Sequence, residues 1–319
     1  MWRLSTVLAV ILLNTLFSTA ADLAQYVNPF IGTKNGGHVF SGATLPFGSV
    51  KAGADSVSSD NQAGYVSDGS KISGISQLHD DGTGGGASLG NFPLLPLTSG
   101  ECAGNDLRKC TVNPTTRALA HSNPTASPGY CESQTYRSYV YSTYLQLFKV
   151  SIPLENGVKC EVTVTQHTAL HRFTYPSHTT QQSLLVDVTS DLSQSFRGSG
   201  TVSLSTSTTK TRITGGGEFT PSFGEGSYKV YFCLDTRAYD EAVLSRSGQT
   251  TNITGDFTQA ISRSDATEAV LLGFNPTDTS QNLTVRVGIS WTSTDKACAY
   301  AEEEIPDLTA FEQVQTAAR

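Results

Sequence analysis

From Val158 onward the chain alternates apolar and polar residues too regularly for long helices to form there. Val158, Cys160, Val162 and Val164 occupy every second position, as do Leu184, Val186 and Val188, then Val230, Phe232 and Leu234, and finally Leu283, Val285, Val287, Ile289 and Trp291. Successive side chains of a strand point to opposite faces, so this period of two predicts half-buried strands rich in β-branched residues. Asn156-Gly157, Gly215-Gly216-Gly217 and Asn275-Pro276 fall between them as turn signals. The expected fold class is therefore all-β, a large antiparallel β-sandwich. At 319 residues the chain accommodates one large β domain or two ordinary ones, and it is long enough to withdraw roughly 75% of its unfolded surface from water. Neither an internal repeat nor a low-complexity linker divides it. Helical spacing appears only near the end, where Asp307 is a candidate N-cap and Leu308, Phe311, Val314 and Ala318 recur at helical intervals.

The first twenty residues read as a secretory signal peptide. Arg3 supplies a positive start, Val7 to Leu13 an apolar run, and Ser18-Thr19-Ala20-Ala21 a small-residue cleavage zone. The run is interrupted by Asn14 and is too short to span a bilayer, so the expected product is secreted and extracellular, with no membrane association after cleavage. Asn252-Ile253-Thr254 and Asn282-Leu283-Thr284 are glycosylation sequons that agree with export, whereas those at Asn113, Asn123 and Asn275 are blocked by a following Pro. A net charge of −7 with no basic stripe argues against a nucleic acid or an acidic membrane surface as partner. Six cysteines in an exported chain favour disulfides over metal ligation. Cys102 and Cys110 close a short polar loop and are the expected pair; the connectivity of Cys131, Cys160, Cys233 and Cys298 is open.

Two glycine-rich stretches carry the chemistry: Asn28–Gly48, NPFIGTKNGGHVFSGATLPFG, and Gly74–Gly86, GISQLHDDGTGGG. Each holds a His among glycines that allow a ligand to approach the backbone. The second lacks the Gly-Lys-(Ser/Thr) ending of a phosphate-binding loop. It suits sugar hydroxyls better, with backbone N–H donors beside His79, Asp80, Asp81 and Thr83. Read by residue type alone, the same loop is more readily a structural turn than a ligand site, and His38 a structural or solvated side chain. His167 and His171 share a face of an extended segment but have no third metal ligand nearby, so both read as satisfied surface histidines, and no Gly-x-Ser-x-Gly nucleophile elbow is present.

Taken together, NPFIGT, GGHVF with GATLPFG, and LHDDGTGG resemble, in this order, the motifs of the N-terminal domain of the glycoside hydrolase family 92 exo-α-mannosidases. Gln77 replaces the first His of the family's F-S-H-x-H, Asp81 its Ser, and Ser41 its Pro. The resemblance implies a supersandwich-like domain over residues 21–298, with 299–319 beginning a linker towards an (α/α)-barrel that this chain lacks. It implies substrate contacts from Gly37, His38, Asp55, His79, Asp81, Gly82, Thr83 and Gly84, and mannose-containing oligosaccharides or N-glycans as partners. In calcium-dependent, inverting family members the acid, the base and most calcium ligands belong to the barrel. No catalytic residue and no metal ligand is therefore expected here, and calcium is not expected on this chain alone. Against the family pattern, Cys131–Leu147 is a tyrosine-rich insert. The chain is expected to be the carbohydrate-recognising half of a mannosidase-like enzyme; the alternatives are a secreted, non-hydrolytic lectin-like module and an inert product. Replacing His38 or His79 by Ala should then lower activity in a complete enzyme with little change in melting temperature.

Overall fold

The computed structural model describes residues 26–80, 86–87, 89–128, 147–262, 267–276 and 281–318. The signal peptide, the tyrosine-rich stretch 131–146 and the four predicted contacts Asp81 to Gly84 lie outside them. The described residues form two large antiparallel sheets. The first runs edge to edge through β15 (Phe257–Ile261), β10 (Phe196–Thr206), β11 (Lys210–Phe219), β12 (Tyr228–Arg237), β17 (Asn282–Ser290), β8 (Thr168–Thr174), β7 (Lys159–Val164), β6 (Leu147–Pro153) and β5 (Thr125–Pro128). The second runs through β14 (Gln249–Asn252), β13 (Glu241–Arg246), β16 (Glu268–Phe274), β9 (Gln182–Asp187), β4 (Leu94–Leu97), β3 (Ile72–Ser76) and β2 (Lys51–Ser56). The short strand β1 (Ala43–Thr44) pairs with both β2 and β6 and joins the sheets at one end.

Side chains from the facing sides merge into one core. Val162, Phe232 and Val287 of the first sheet belong to the same buried cluster as Leu95, Leu185 and Leu271 of the second. Each fully buried side chain of this size favours the folded state by about 1.5–3 kcal/mol. The strands predicted by alternation are all present, with Val158, Val188 and Trp291 just outside the ends of β7, β9 and β17, and Trp291 44% exposed.

Two departures from the sequence reading have clear physical causes. Gly215-Gly216-Gly217, expected as a turn, lies inside β11. A Cβ at Gly215 would stand 2.7 Å from the Phe232 ring, one at Gly216 2.5 Å from Tyr231, and one at Gly217 2.4 Å from Phe196, so the glycines accommodate aromatic neighbours. Helical structure also begins earlier than expected. Ser293 caps a helix over Thr294–Glu304 by accepting from the Lys296 amide. This helix lies on β12 and β17, where Gly288 leaves room for it: a Cβ there would meet the Ala297 carbonyl at 2.1 Å. A Cys233–Cys298 disulfide ties it down, so the expected division after residue 298 falls within an element bonded to the sandwich.

Asp307, the expected cap, instead holds a turn by accepting from the Thr309 amide and hydroxyl, and the final helix spans Phe311–Ala317. Its apolar stripe does find a surface. Phe311 is buried with Leu170 and Ile305, Leu308 and Val314 pack against them, and the Arg172 guanidinium lies 4.1 Å above the Phe311 ring. Cys102 pairs with Cys110 as expected, and Cys160 is a buried free thiol, pushed up in pKa by that burial.

The two strand histidines have separate roles. His167 donates to Glu304 and stacks on Tyr300 at 3.8 Å, so it clasps the Thr294–Glu304 helix. His171, read from the sequence as a surface residue, is fully buried and hydrogen-bonded through Nε2 to Gln77 Oε1 at 2.8 Å. Burial pushes its pKa down to about 3, which keeps the ring neutral. Gln77, the substituted family His, spends its amide on the carbonyls of Ile75 and Phe92.

Candidate functional site

The two glycine-rich stretches meet at one end of the second sheet. Strands β2 and β3 are paired there with Gly53 opposite Ser76 and Asp55 opposite Gly74. The chain leaves β3 and turns back so that the His79 ring falls over β2. Its Nδ1 donates to the Lys51 carbonyl at 2.8 Å, and Nε2 lies 2.8 Å from Asp55 Oδ1, which also accepts from the Ser76 hydroxyl at 2.9 Å. A carbonyl only accepts, so Nδ1 carries a proton, and the contact with Asp55 requires a second proton between ring and carboxylate. The arrangement is a buried histidine–carboxyl hydrogen bond, with the Ser76 hydroxyl 3.2 Å from Nε2 as well.

The slot around this ring explains several glycines and one aromatic residue. Phe40, from the GGHVF segment, stacks on His79 with centroids 5.2 Å apart. Gly64 covers the other side with φ +90°, and a Cβ there would lie 2.4 Å from Nε2. Phe40 and His79 thus bind the first stretch to the second. The packing leaves His79 only 2% and Asp55 only 4% exposed.

His38 sits differently. Its backbone has φ +50°, and Nε2 lies 2.6 Å from Asp60 Oδ1, while Asp60 Oδ2 accepts from the Gly36 amide at 2.9 Å. These two hydrogen bonds, the Gly36 amide foremost, hold the Asp60 carboxyl below its usual range. Gly37 is required by close contact, since a Cβ there would stand 2.3 Å from the Gly32 carbonyl oxygen. The His38 side chain keeps 18% of its surface open, and Asp60 keeps 34%. Of the two motif histidines, His38 is the more exposed.

Beside the Asp55–His79 pair, on the outer side of the second sheet, opens a cleft of about 360 Å³, at the small end of the range for ligand pockets. Asp55, Ser58 and Asn61 form one wall, Asn113 and Thr115 a second, and Asp191 and Gln194 a third. Asp191 is buried, which pushes its carboxyl up in pKa, although the Ser195 amide and hydroxyl both donate to it. Arg117, the one Lys or Arg among the lining residues, is engaged by the Ser73 and Val112 carbonyls and the Asp187 carboxylate. The cleft therefore offers hydroxyls, amides and carboxylates without an uncommitted cation, a chemistry suited to a neutral polyhydroxylated ligand and unsuited to a phosphate.

Asp60, Phe40 and Asp191 were not singled out by sequence reasoning. Phe40 lies inside the first glycine-rich stretch, Asp60 stands in a Ser- and Asn-rich run that reads as turn, and Asp191, far from both stretches in sequence, carries no signal. Among the described residues no three His, Cys, Asp or Glu side chains gather as a metal-binding group.

Asp60→Ala should release the Gly36–His38 segment. Hydrogen exchange at the Gly36 amide is expected to accelerate at least tenfold while the melting temperature moves by only a few degrees, because the bonds lost are partly solvated. Unchanged exchange at Gly36 would show that this acid does not hold the loop.

Comparison with known proteins places this geometry. Residues 26–290 match the model of the glycosyl hydrolase family 92 N-terminal domain. An uncharacterized secreted glycosidase of Arthroderma benhamiae is 35% identical over 318 residues, covering 92% of this chain and 37% of that protein. A family GH92 alpha-mannosidase of Bacteroides thetaiotaomicron, solved with mannoimidazole, superposes with a TM-score of 0.71 at 22% identity, over 93% of this chain and 36% of its own. A family GH92 inverting mannosidase of the same organism gives 0.66 at 15% identity, over 94% and 35%. At these identities the two structures share the fold, and this chain spans little more than a third of the length of its relatives. The chain belongs to glycosyl hydrolase family 92, and residues 26–290 form its N-terminal domain.

Proposed function

We propose that this chain is the carbohydrate-recognising N-terminal part of a secreted α-mannosidase-like glycoside hydrolase acting on mannose-containing glycans of glycoproteins. The observation that carries the reading is the cross-linking of the two motif stretches through Phe40, His79 and Asp55, beside a cleft of hydroxyls, amides and carboxylates. In this reading His38, Gly37 and the Asp81–Gly84 loop contact sugar directly, while Asp55 and His79 hold that surface in shape. Export is supported by the secreted relative, and no described helix is long and apolar enough to cross a membrane. The inverting acid and base, which must stand roughly 6.5–9.5 Å apart to admit water, and the calcium of the family are assigned to a further domain.

Titration followed by NMR tests this. The chain alone should bind mannose or α-1,2-mannobiose with a Kd in the millimolar range, worth about 4 kcal/mol, and should turn over no aryl α-mannoside. A version extended to the length of its relatives should hydrolyse one. Turnover by the chain alone would refute the division of labour, and the absence of any saturable shift would refute the carbohydrate reading. Micromolar binding by the chain alone would instead favour the lectin-like alternative.

A further inference from the structure

Strands β14 and β15 lie at the edges of the two sheets. Among the described residues β14 pairs with β13 alone and β15 with β10 alone, so each has one side without a neighbouring strand, although the Ala260 carbonyl of β15 accepts from the Arg246 and Gln259 side chains. Natural edge strands are commonly blunted by Lys, Pro or inward charges, because an unpaired strand is a template for another chain. Here that protection is missing. From Gln249 to Ser262 the sequence is QTTNITGDFTQAIS, with no Pro or Lys and a single charge, Asp256, whose carboxylate accepts from the Thr206 amide.

Asn252 stands at the end of this uncharged edge, opposite Val243. The middle residue of its sequon, Ile253, is buried, and its amide donates to the Ala242 carbonyl at 2.8 Å, which leaves Asn252 and Thr254 exposed on either side. The second sequon is placed otherwise. Asn282 begins β17 opposite Thr174 of β8, and its carboxamide oxygen accepts from the Thr174 hydroxyl at 2.8 Å.

We infer that Asn252 carries an N-linked glycan and that this glycan shields the β14 edge from pairing with a second copy of the chain. The Asn252 amide nitrogen loses a proton and forms a bond to the anomeric carbon of the first N-acetylglucosamine of a lipid-pyrophosphate-linked oligosaccharide. The bond from that carbon to the pyrophosphate oxygen breaks, and the lipid pyrophosphate leaves. The glycan then supplies the bulk and hydration that this strand's own side chains lack. The inference depends on export and not on the proposed sugar recognition.

The test is secretion of the chain from a eukaryotic host, intact-mass analysis with and without peptide N-glycosidase, and light scattering of the purified protein. A glycan at Asn252 is expected, lost equally in Asn252→Gln and Thr254→Ala. Both variants should show at least a tenfold larger associated fraction at equal concentration, and adding Thr251→Lys, a charge on the same strand, should restore the monomer. Rescue by Thr251→Lys separates edge pairing from failure to fold. An unmodified Asn252 in the secreted protein overturns the site. Monomeric Asn252→Gln, or association that Thr251→Lys leaves in place, overturns the shielding role.

Discussion

Asp235→Asn should remove about 3–5 kcal/mol of folding stability, the usual cost of breaking a buried ion pair from one side. The carboxylate is fully buried. Arg212 grips it with Nε at 2.8 Å and Nη2 at 2.9 Å, Arg286 with Nε at 2.9 Å and Nη2 at 2.6 Å, and Lys210 lies 3.1 Å away. Three cations converge on one buried acid, and the remaining counter-charge, Glu302, is 53% exposed and well screened. Asparagine would leave two guanidinium groups without their charge. The damage should reach the Thr294–Glu304 helix first, because Arg212 also binds Glu302 and Arg286 also donates to the Ile305 carbonyl.

The pH dependence follows from the same contacts. Burial alone would raise the Asp235 pKa, but Arg212 and Arg286 outweigh it and hold the carboxyl below the ordinary aspartate value of 3.8. Its contribution is therefore fully present above about 3.8 and is lost as the pH falls through the lower folded value. Urea unfolding from pH 7 to pH 2, with hydrogen exchange on the helix, checks both claims. Stability of Asp235→Asn within 1 kcal/mol of the parent, or helix protection unaffected by the change, would show that the network is incidental.

Much of the sandwich is legible in the sequence because one side of each inner strand faces the common core. The runs at Val158–Val164 and Leu283–Ile289 alternate for that reason and fall on β7 and β17, although polar residues between them, such as Glu161, Thr163 and Arg286, are buried as well. The pair β10 and β11 escapes the same reading: it is rich in Ser, Thr and Gly, and the glycines that serve Phe196, Tyr231 and Phe232 look locally like a turn. The Thr294–Glu304 helix is hidden because its buried face is made of Ala297 and Ala301, too small to register as an apolar stripe. At the site, residue types and loops were readable, but pairings were not. Asp55 and His79 lie twenty-four positions apart, and only the β2–β3 hairpin tells that they touch, so the sequence shows a His near glycines without showing whether it faces solvent or core.

That distinction reverses the expectation that His79→Ala would spare the fold. His79 is buried between Phe40 and Gly64, and its removal leaves Asp55 without its hydrogen-bond partner in a nearly closed space. His79→Ala and Asp55→Ala should each cost about 3–5 kcal/mol. The double variant should cost clearly less than the sum, because each single change already destroys the same contact. His38→Ala, with its partner at the surface, should stay within about 1 kcal/mol of the parent. It should still lose most of the sugar affinity of the chain or, in an extended enzyme, more than tenfold in kcat/KM. Thermal unfolding and mannobiose titration on the same four samples separate the two roles. An unchanged melting temperature in His79→Ala would mean that the buried pair contributes nothing to the fold. Additive losses in the double variant would mean that Asp55 and His79 act apart, and unaltered binding in His38→Ala would move the sugar site elsewhere on the domain.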